Sequence, residues 1–312
     1  MKALEGKATL LTSALTLGLF AAGSGAQGAS DPWADAQQMF DARAESREKI
    51  QTARGMYQDL LKGAVTPAEK IQAVSQLGRL ALYEGEITLS DDDVEGRKSI
   101  FSQCFCASPK VTYNPLPSPS CESPGFVDAI SPKNLGENHP AFHYFRAMCT
   151  AYWGEVAQPM EKLAYVSWLK EDIAAGQTLD TRFEGGGILR VAAGVYVNPK
   201  ASVVQLYNPE LAIQMATQAL ASGPFPGSPS SGIHYYENYA ILAKALKQMD
   251  ADRPDSGFKE KAIAKTTSAL KEIDERIEFE DLPVGREPEF KWYYSQIKNI
   301  YKELTALDWP QR

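Results

Sequence analysis

The stretch Phe183–Pro226, FEGGGILRVAAGVYVNPKASVVQLYNPELAIQMATQALASGPFP, carries the fold. It holds the only glycine triplet of the chain, Gly185-Gly186-Gly187, ahead of a helical pattern. Asn208-Pro209 then opens an alanine-rich helix in which Ala212-Ile213 is followed by Thr217 and Ala219-Leu220. Fifty residues on, Ala262-Ile263 is followed by Thr267 and Ala269-Leu270. Each copy has a helix before it with an apolar, alanine-bearing face: Leu189, Ala192, Ala193 and Tyr196 before the first, Tyr239, Leu242, Ala243 and Leu246 before the second. A weaker echo is Ala53, Tyr57 and Leu60-Leu61. Alanines four and seven apart share one helix face and let a partner helix approach closely. One such hairpin cannot bury its apolar surface, so hairpins must stack.

The spacing resembles the tetratricopeptide repeat. The second-helix positions of that repeat fall on Ala212, Ala216, Ala219 and Pro224, and its first-helix glycines on Leu77-Gly78 and Gly85. Asp274 stands where the second copy would have proline. The fold class is all-α, with degenerate tetratricopeptide-like hairpins stacked as a compact solenoid. The remaining periodicity agrees. Asp31 to Lys62 predicts helix with a break near Glu45-Ser46, Thr66 starts a helix reaching about Glu86, and Ser90 starts another reaching the cysteines near 104. Further helices are expected after Asn138-His139-Pro140, and over Pro159–Ala175, Gly187–Val197, Pro209–Ser222, Gly232–Met249, Gly257–Ile277 and Glu287–Leu307. Six prolines between 107 and 137 exclude continuous helix there, and a loop this long is usually functional or tethered.

The N-terminus reads as a leader. Lys2 and Lys7 precede the apolar run Ala8–Ala22, and small residues come after it, so cleavage after Ala26 or Gly28 is expected. The run is short for a membrane span, which needs roughly 20 apolar residues. Residues 29–312 would then form a single helical domain in the periplasm or outside the cell. Cys104, Cys106, Cys121 and Cys149 suit that compartment as two disulfides, with Cys104 and Cys106 each joined to one of the other two. Zinc is the rival, but Cys-x-Cys lacks the usual spacing. The net charge of -7 disfavours nucleic acid as a partner, since no basic patch is visible.

The glycine triplet leading into Arg190, then Gly194, Tyr196 and Pro199, then Asn208-Pro209-Glu210 and Ala212, resembles the T component of tripartite ATP-independent periplasmic (TRAP) transporters, the TatT-like proteins. The aromatic helix Ala141–Trp153 fits the same resemblance, which covers about residues 140–275. It implies tetratricopeptide-like hairpins, an apolar channel or groove, association with a periplasmic solute-binding protein, and a homo-oligomer, namely a trimer. The chain departs from the family in lacking a lipid-attachment cysteine near the leader and in its cysteine-bearing proline loop.

Catalytic signals are weak. The glycine triplet lacks the preceding strand and the Gly-Lys-Ser/Thr of a phosphate loop, so close backbone packing is expected. His139 and His143 stand four apart, but His139 precedes the helix start, and structural roles are expected. Glu84 and Glu86 are expected to be solvated acids at a helix end. No cofactor, metal or catalytic residue is predicted. The aromatics and one arginine are the candidate groove: Tyr144, Phe145, Tyr152, Trp153, Arg190, Tyr196, Tyr235, Tyr236 and Tyr239. Two readings remain open, a scaffold for a partner protein and a binder of an apolar small molecule. Acids or histidines clustered around a cavity would instead favour an enzyme.

Overall fold

A computed structural model describes residues 31–105, 139–163, 165–222, 235–278 and 287–310. The chain there is helical, with no strand among the described residues. In order, the helices are α1 (Pro32–Asp41), α2 (Arg47–Gly63), α3 (Pro67–Leu82), α4 (Val94–Phe105), α5 (Pro140–Val156), α6 (Pro159–Leu163), α7 (Val166–Leu179), α8 (Gly187–Val197), α9 (Pro209–Leu220), α10 (Tyr236–Asp252), α11 (Phe258–Glu278) and α12 (Glu287–Thr305). The start signals work as their chemistry requires. Ser46 accepts from the Lys49 amide, and Thr66 and Glu69 form a reciprocal capping box that brackets Pro67 in the first turn. Asn208 accepts from the Leu211 amide at 3.0 Å.

Three local features depart from the periodicity. The segment expected as one helix over Pro159–Ala175 is two, α6 ending at Leu163 and α7 starting at Val166. A six-residue 3-10 turn, Pro199–Val204, comes after α8. The helix expected to run to Glu86 ends as α-helix at Leu82 and continues as a π-helix, Tyr83–Thr88, in which the Leu89 amide donates to the Glu84 carbonyl at 3.0 Å. The wider turn changes the direction in which its side chains point. Glu84 and Glu86 are therefore not the solvated acids expected. Glu84 is 1% exposed and pairs with Arg47 and Arg54, while Glu86 turns inward to Arg97.

The repeat positions are packing positions. Helices α8 and α9 pack together, as do α10 and α11, and α9 continues onto α10 and α11 onto α12. Ala192, Ala193, Ala212, Ala216, Ala219, Ala243, Ala262 and Ala269 are all fully buried. Gly78 and Gly85 serve the same end, each lying under a ring, Phe145 and Phe101 respectively, where a Cβ would clash. Helix α5 is central, touching α3, α4, α7 and α8. Arg43, after α1, is 1% exposed and bonds Glu289 of α12 at 2.5 Å, with the Phe40 carbonyl as second acceptor. The two ends of the described chain thus meet, whereas an open solenoid confines contacts to neighbouring repeats. No helix among the described residues is long and apolar enough to cross a membrane.

Cys149 is fully buried in α5 and is not a free thiol. The side chains of Cys104, Cys106 and Cys121, the proline loop, the leader region 1–28 and Pro224 of the repeat lie outside the described residues.

Candidate functional site

The site is built from the glycine turn. Glu184, Gly185 and Gly186 take positive φ values of 51°, 59° and 88°, a left-handed run that reverses the chain into α8. A Cβ on Gly186 would lie 2.8 Å from the Cα of Ala219, and one on Gly187 would lie 2.6 Å from the Tyr144 ring. Helix α8 therefore starts hard against α9 and α5, with no room for a side chain at Gly186 or Gly187. Glu184 locks the turn from outside by accepting from Arg79 at 2.5 Å and from the Tyr235 hydroxyl at 2.8 Å.

This placement drives Arg190, one turn into α8, to the molecular interior at 3% exposure. Its guanidinium pairs with Glu237 at 2.7 Å and donates to Asn238 Oδ1 at 3.2 Å, the Glu184 carbonyl at 3.3 Å and the Tyr144 hydroxyl at 3.1 Å. It also lies 4.6 Å from the centre of the Tyr235 ring. Burial works to lower its pKa, and the neighbouring Tyr144, Glu237 and Tyr235 more than offset this, so the charge is held. The Tyr144 hydroxyl is pushed up to about 12 by burial and stays a neutral hydrogen-bonding group.

Beside Arg190 is a cavity of about 400 Å³, at the lower end of the size of small-molecule sites. Met148, Val191, Val195, Val204, Ile241 and Trp292 contribute apolar wall from α5, α8, the 3-10 turn, α10 and α12. Three carboxylates also reach it. Glu237 is held by Arg190 and by the Tyr152 hydroxyl at 3.0 Å. Glu86 pairs with Nη2 of Arg97, and Glu155 lies 3.9 Å from that same nitrogen. Arg97 is itself buried and anchored by the Gly85 carbonyl, so the π-helix positions both the acid and its counter-ion. Glu155 keeps 42% of its side-chain surface open, and that surface faces the chamber.

Burial first, and the nearby Glu155 charge second, push the Glu86 carboxyl up to about 8 against the pull of Arg97. Burial raises Glu155 as well. An unfolded glutamate titrates near 4.5, so between about pH 4.5 and pH 8 the folded protein holds a proton that the unfolded chain releases. Stability from this source is complete below the lower value and is lost as pH rises through the upper one. The thermal midpoint is therefore expected to drop by several degrees from pH 5 to pH 8, and the drop to shrink in Glu86→Gln. Parallel pH profiles for the two proteins would show that Glu86 carries no such proton.

The candidate groove residues divide. Tyr144, Tyr152, Trp153 and Arg190 line the cavity. Phe145 instead fills the space over Gly78, and Tyr236 packs edge-on against Phe290 at 4.7 Å. Tyr235 packs on Gly185 and braces Arg190, Tyr239 bonds Glu272, and Tyr196 is half-buried against the main core. Tyr144 and Phe145 show the division most clearly, since successive residues of a helix point in different directions and only Tyr144 reaches the cavity. His139 and His143 both make contacts within the fold. His139 caps α5 by accepting from the Ala141 amide at 3.1 Å, and His143 bonds Asp172 at 2.8 Å. Sequence reasoning missed Glu86, Glu155 and Glu237, and the lysines Lys162, Lys200 and Lys244 that also line the cavity. They come from separate elements, so no local spacing announces them. No protein-family model matches the chain, and no curated protein matches it.

Proposed function

We propose that this protein binds a small, largely apolar molecule in the chamber between α5, α8 and α10. The observation that carries the reading is a cavity of ligand size whose walls are mainly apolar and in which the Glu237 carboxylate is already matched by Arg190. A preformed chamber of this kind gains affinity by removing apolar surface from water. The leader-like N-terminus and the four cysteines, taken as two disulfides, support an exported, periplasmic setting. Resemblance to TRAP-transporter T components supports a scaffold of stacked hairpins, trimeric, that engages a solute-binding protein and passes the ligand to or from it.

The test is a series of straight-chain alcohols displacing the neutral fluorophore N-phenyl-1-naphthylamine. Each methylene buried is worth about 0.8 kcal/mol, so affinity is expected to rise roughly fourfold per carbon until the chamber is full. Affinity that does not change with chain length would overturn the reading.

Glu86 and Glu155 favour a second reading. Two carboxylates leaning on one arginine, one of them holding its proton near neutral pH, are what a general acid requires. Under it a chromogenic ester or glycoside with an apolar leaving group is turned over, and Glu86→Gln abolishes turnover. Under the binding reading no turnover occurs, and Glu86→Gln still takes up the alcohols.

A further inference from the structure

The charges that remain unmatched around the chamber say what kind of apolar molecule it takes. Lys162 comes from α6, Lys200 from the 3-10 turn and Lys244 from α10, and all three line the cavity. Lys200 and Lys244 are exposed and Lys162 is half-buried, so they mark where the chamber meets solvent. They are close enough to act on one another and on a single carboxylate. Lys244 and Lys200 both act electrostatically on Glu155, and Lys200 and Glu155 both act on Lys162. Glu155 already leans on Arg97. None of the three ammonium groups has an ion-pair partner among the described residues. Lys247, also at the cavity, differs because it is paired with Glu303.

Three cations lining the mouth of an apolar chamber thus share the field of one carboxylate, Glu155, on which the exposed Asp91 also acts. Crowding like charges is unfavourable unless an anion relieves it, and a chamber wall that partly excludes water strengthens the effect. An ammonium head would meet net repulsion there, and a neutral head would leave the excess charge unanswered. We infer that the ligand is an amphiphile with an apolar body in the chamber and an anionic head, carboxylate or phosphate, among Lys162, Lys200 and Lys244. The inference rests on the binding reading above and specifies its ligand class.

Competition against N-phenyl-1-naphthylamine tests it, using dodecanoate, dodecyl phosphate, dodecanol and dodecylamine below their aggregation thresholds. Both anions are expected to displace the probe at least tenfold more effectively than the alcohol, with the amine weakest. Whichever anion is stronger tells a fatty-acid source from a phospholipid-derived one. Acetate and inorganic phosphate, which lack the apolar body, are expected not to compete. In Lys162→Gln/Lys200→Gln/Lys244→Gln the advantage of the anions over dodecanol should fall below about twofold. Independently of that variant, raising sodium chloride from 50 to 500 mM should shrink the advantage in the wild-type protein, because charges at a solvent-facing mouth are screened. Equal displacement by acid and alcohol, or preference for the amine, overturns the head-group inference and leaves the apolar chamber standing. Competition by inorganic phosphate overturns it also, since the head alone would then suffice. Failure of the probe and of every dodecyl compound to bind overturns the chamber reading itself.

Discussion

Arg190→Met is expected to destabilise the protein by about 3–5 kcal/mol, the cost of breaking a buried ion pair from one side. For a chain of this size that is a fall of roughly 10 °C in the thermal midpoint. Methionine fills much of the space, so the loss is electrostatic more than steric. Among the described residues, the substitution strands Glu237 with only the Tyr152 hydroxyl to hold it, and it withdraws a donor from Asn238 Oδ1, the Glu184 carbonyl and the Tyr144 hydroxyl. Adding Glu237→Gln removes the uncompensated charge and should recover more than half of the loss. Urea unfolding of the single and double variants measures both. A double variant no more stable than the single one would show that the cost lies in packing and not in the stranded carboxylate.

Gly186→Ala is expected to cost roughly 2–5 kcal/mol, although it adds one methyl group. Two effects combine. The residue sits at φ 88°, where a side chain is strained, and the new Cβ would press on the backbone of Ala219, which cannot swing aside as a side chain would. Relief requires α8 to slide off α9, and that moves Arg190. The variant should therefore bind the neutral fluorophore more weakly as well as unfold earlier. Gly194→Ala is the control. It lies in the interior of α8, where the nearest atom to an added Cβ is the Cδ1 of Ile241 at 3.8 Å, an ordinary contact. It should stabilise by up to about 1 kcal/mol through helix propensity. Similar effects at the two glycines would remove the argument that the triplet is a packing joint.

Much of the architecture was legible in the chain. Period and capping chemistry placed most helices to within a few residues, because caps such as Thr66 with Glu69 and Asn208 with Leu211 are satisfied within four residues of sequence. The alanine repeat marked the helix pairs because small residues at one spacing have one structural use. Of the candidate site, the part carried by α5 and α8 was legible, namely Tyr144, Tyr152, Trp153 and Arg190. Their aromatic density and the unusual arginine within an apolar helix stand out locally. Tyr235, Tyr236 and Tyr239 looked equally promising, yet neighbouring residues on one helix face in different directions, and here those directions lead into packing.

The helical class, the local helix caps and the alanine spacing of Phe183–Pro226 are written in the sequence alone. All of these depend on interactions between residues a few positions apart. It took the tertiary structure to draw Glu84 and Glu86 inside, because the π-turn that rotates them is stabilised by Arg47, Arg54 and Arg97 on other elements. The same holds for the meeting of Lys162, Lys200 and Lys244 around Glu155. Burial and field depend on groups that arrive from far along the chain, and no local pattern encodes that arrival.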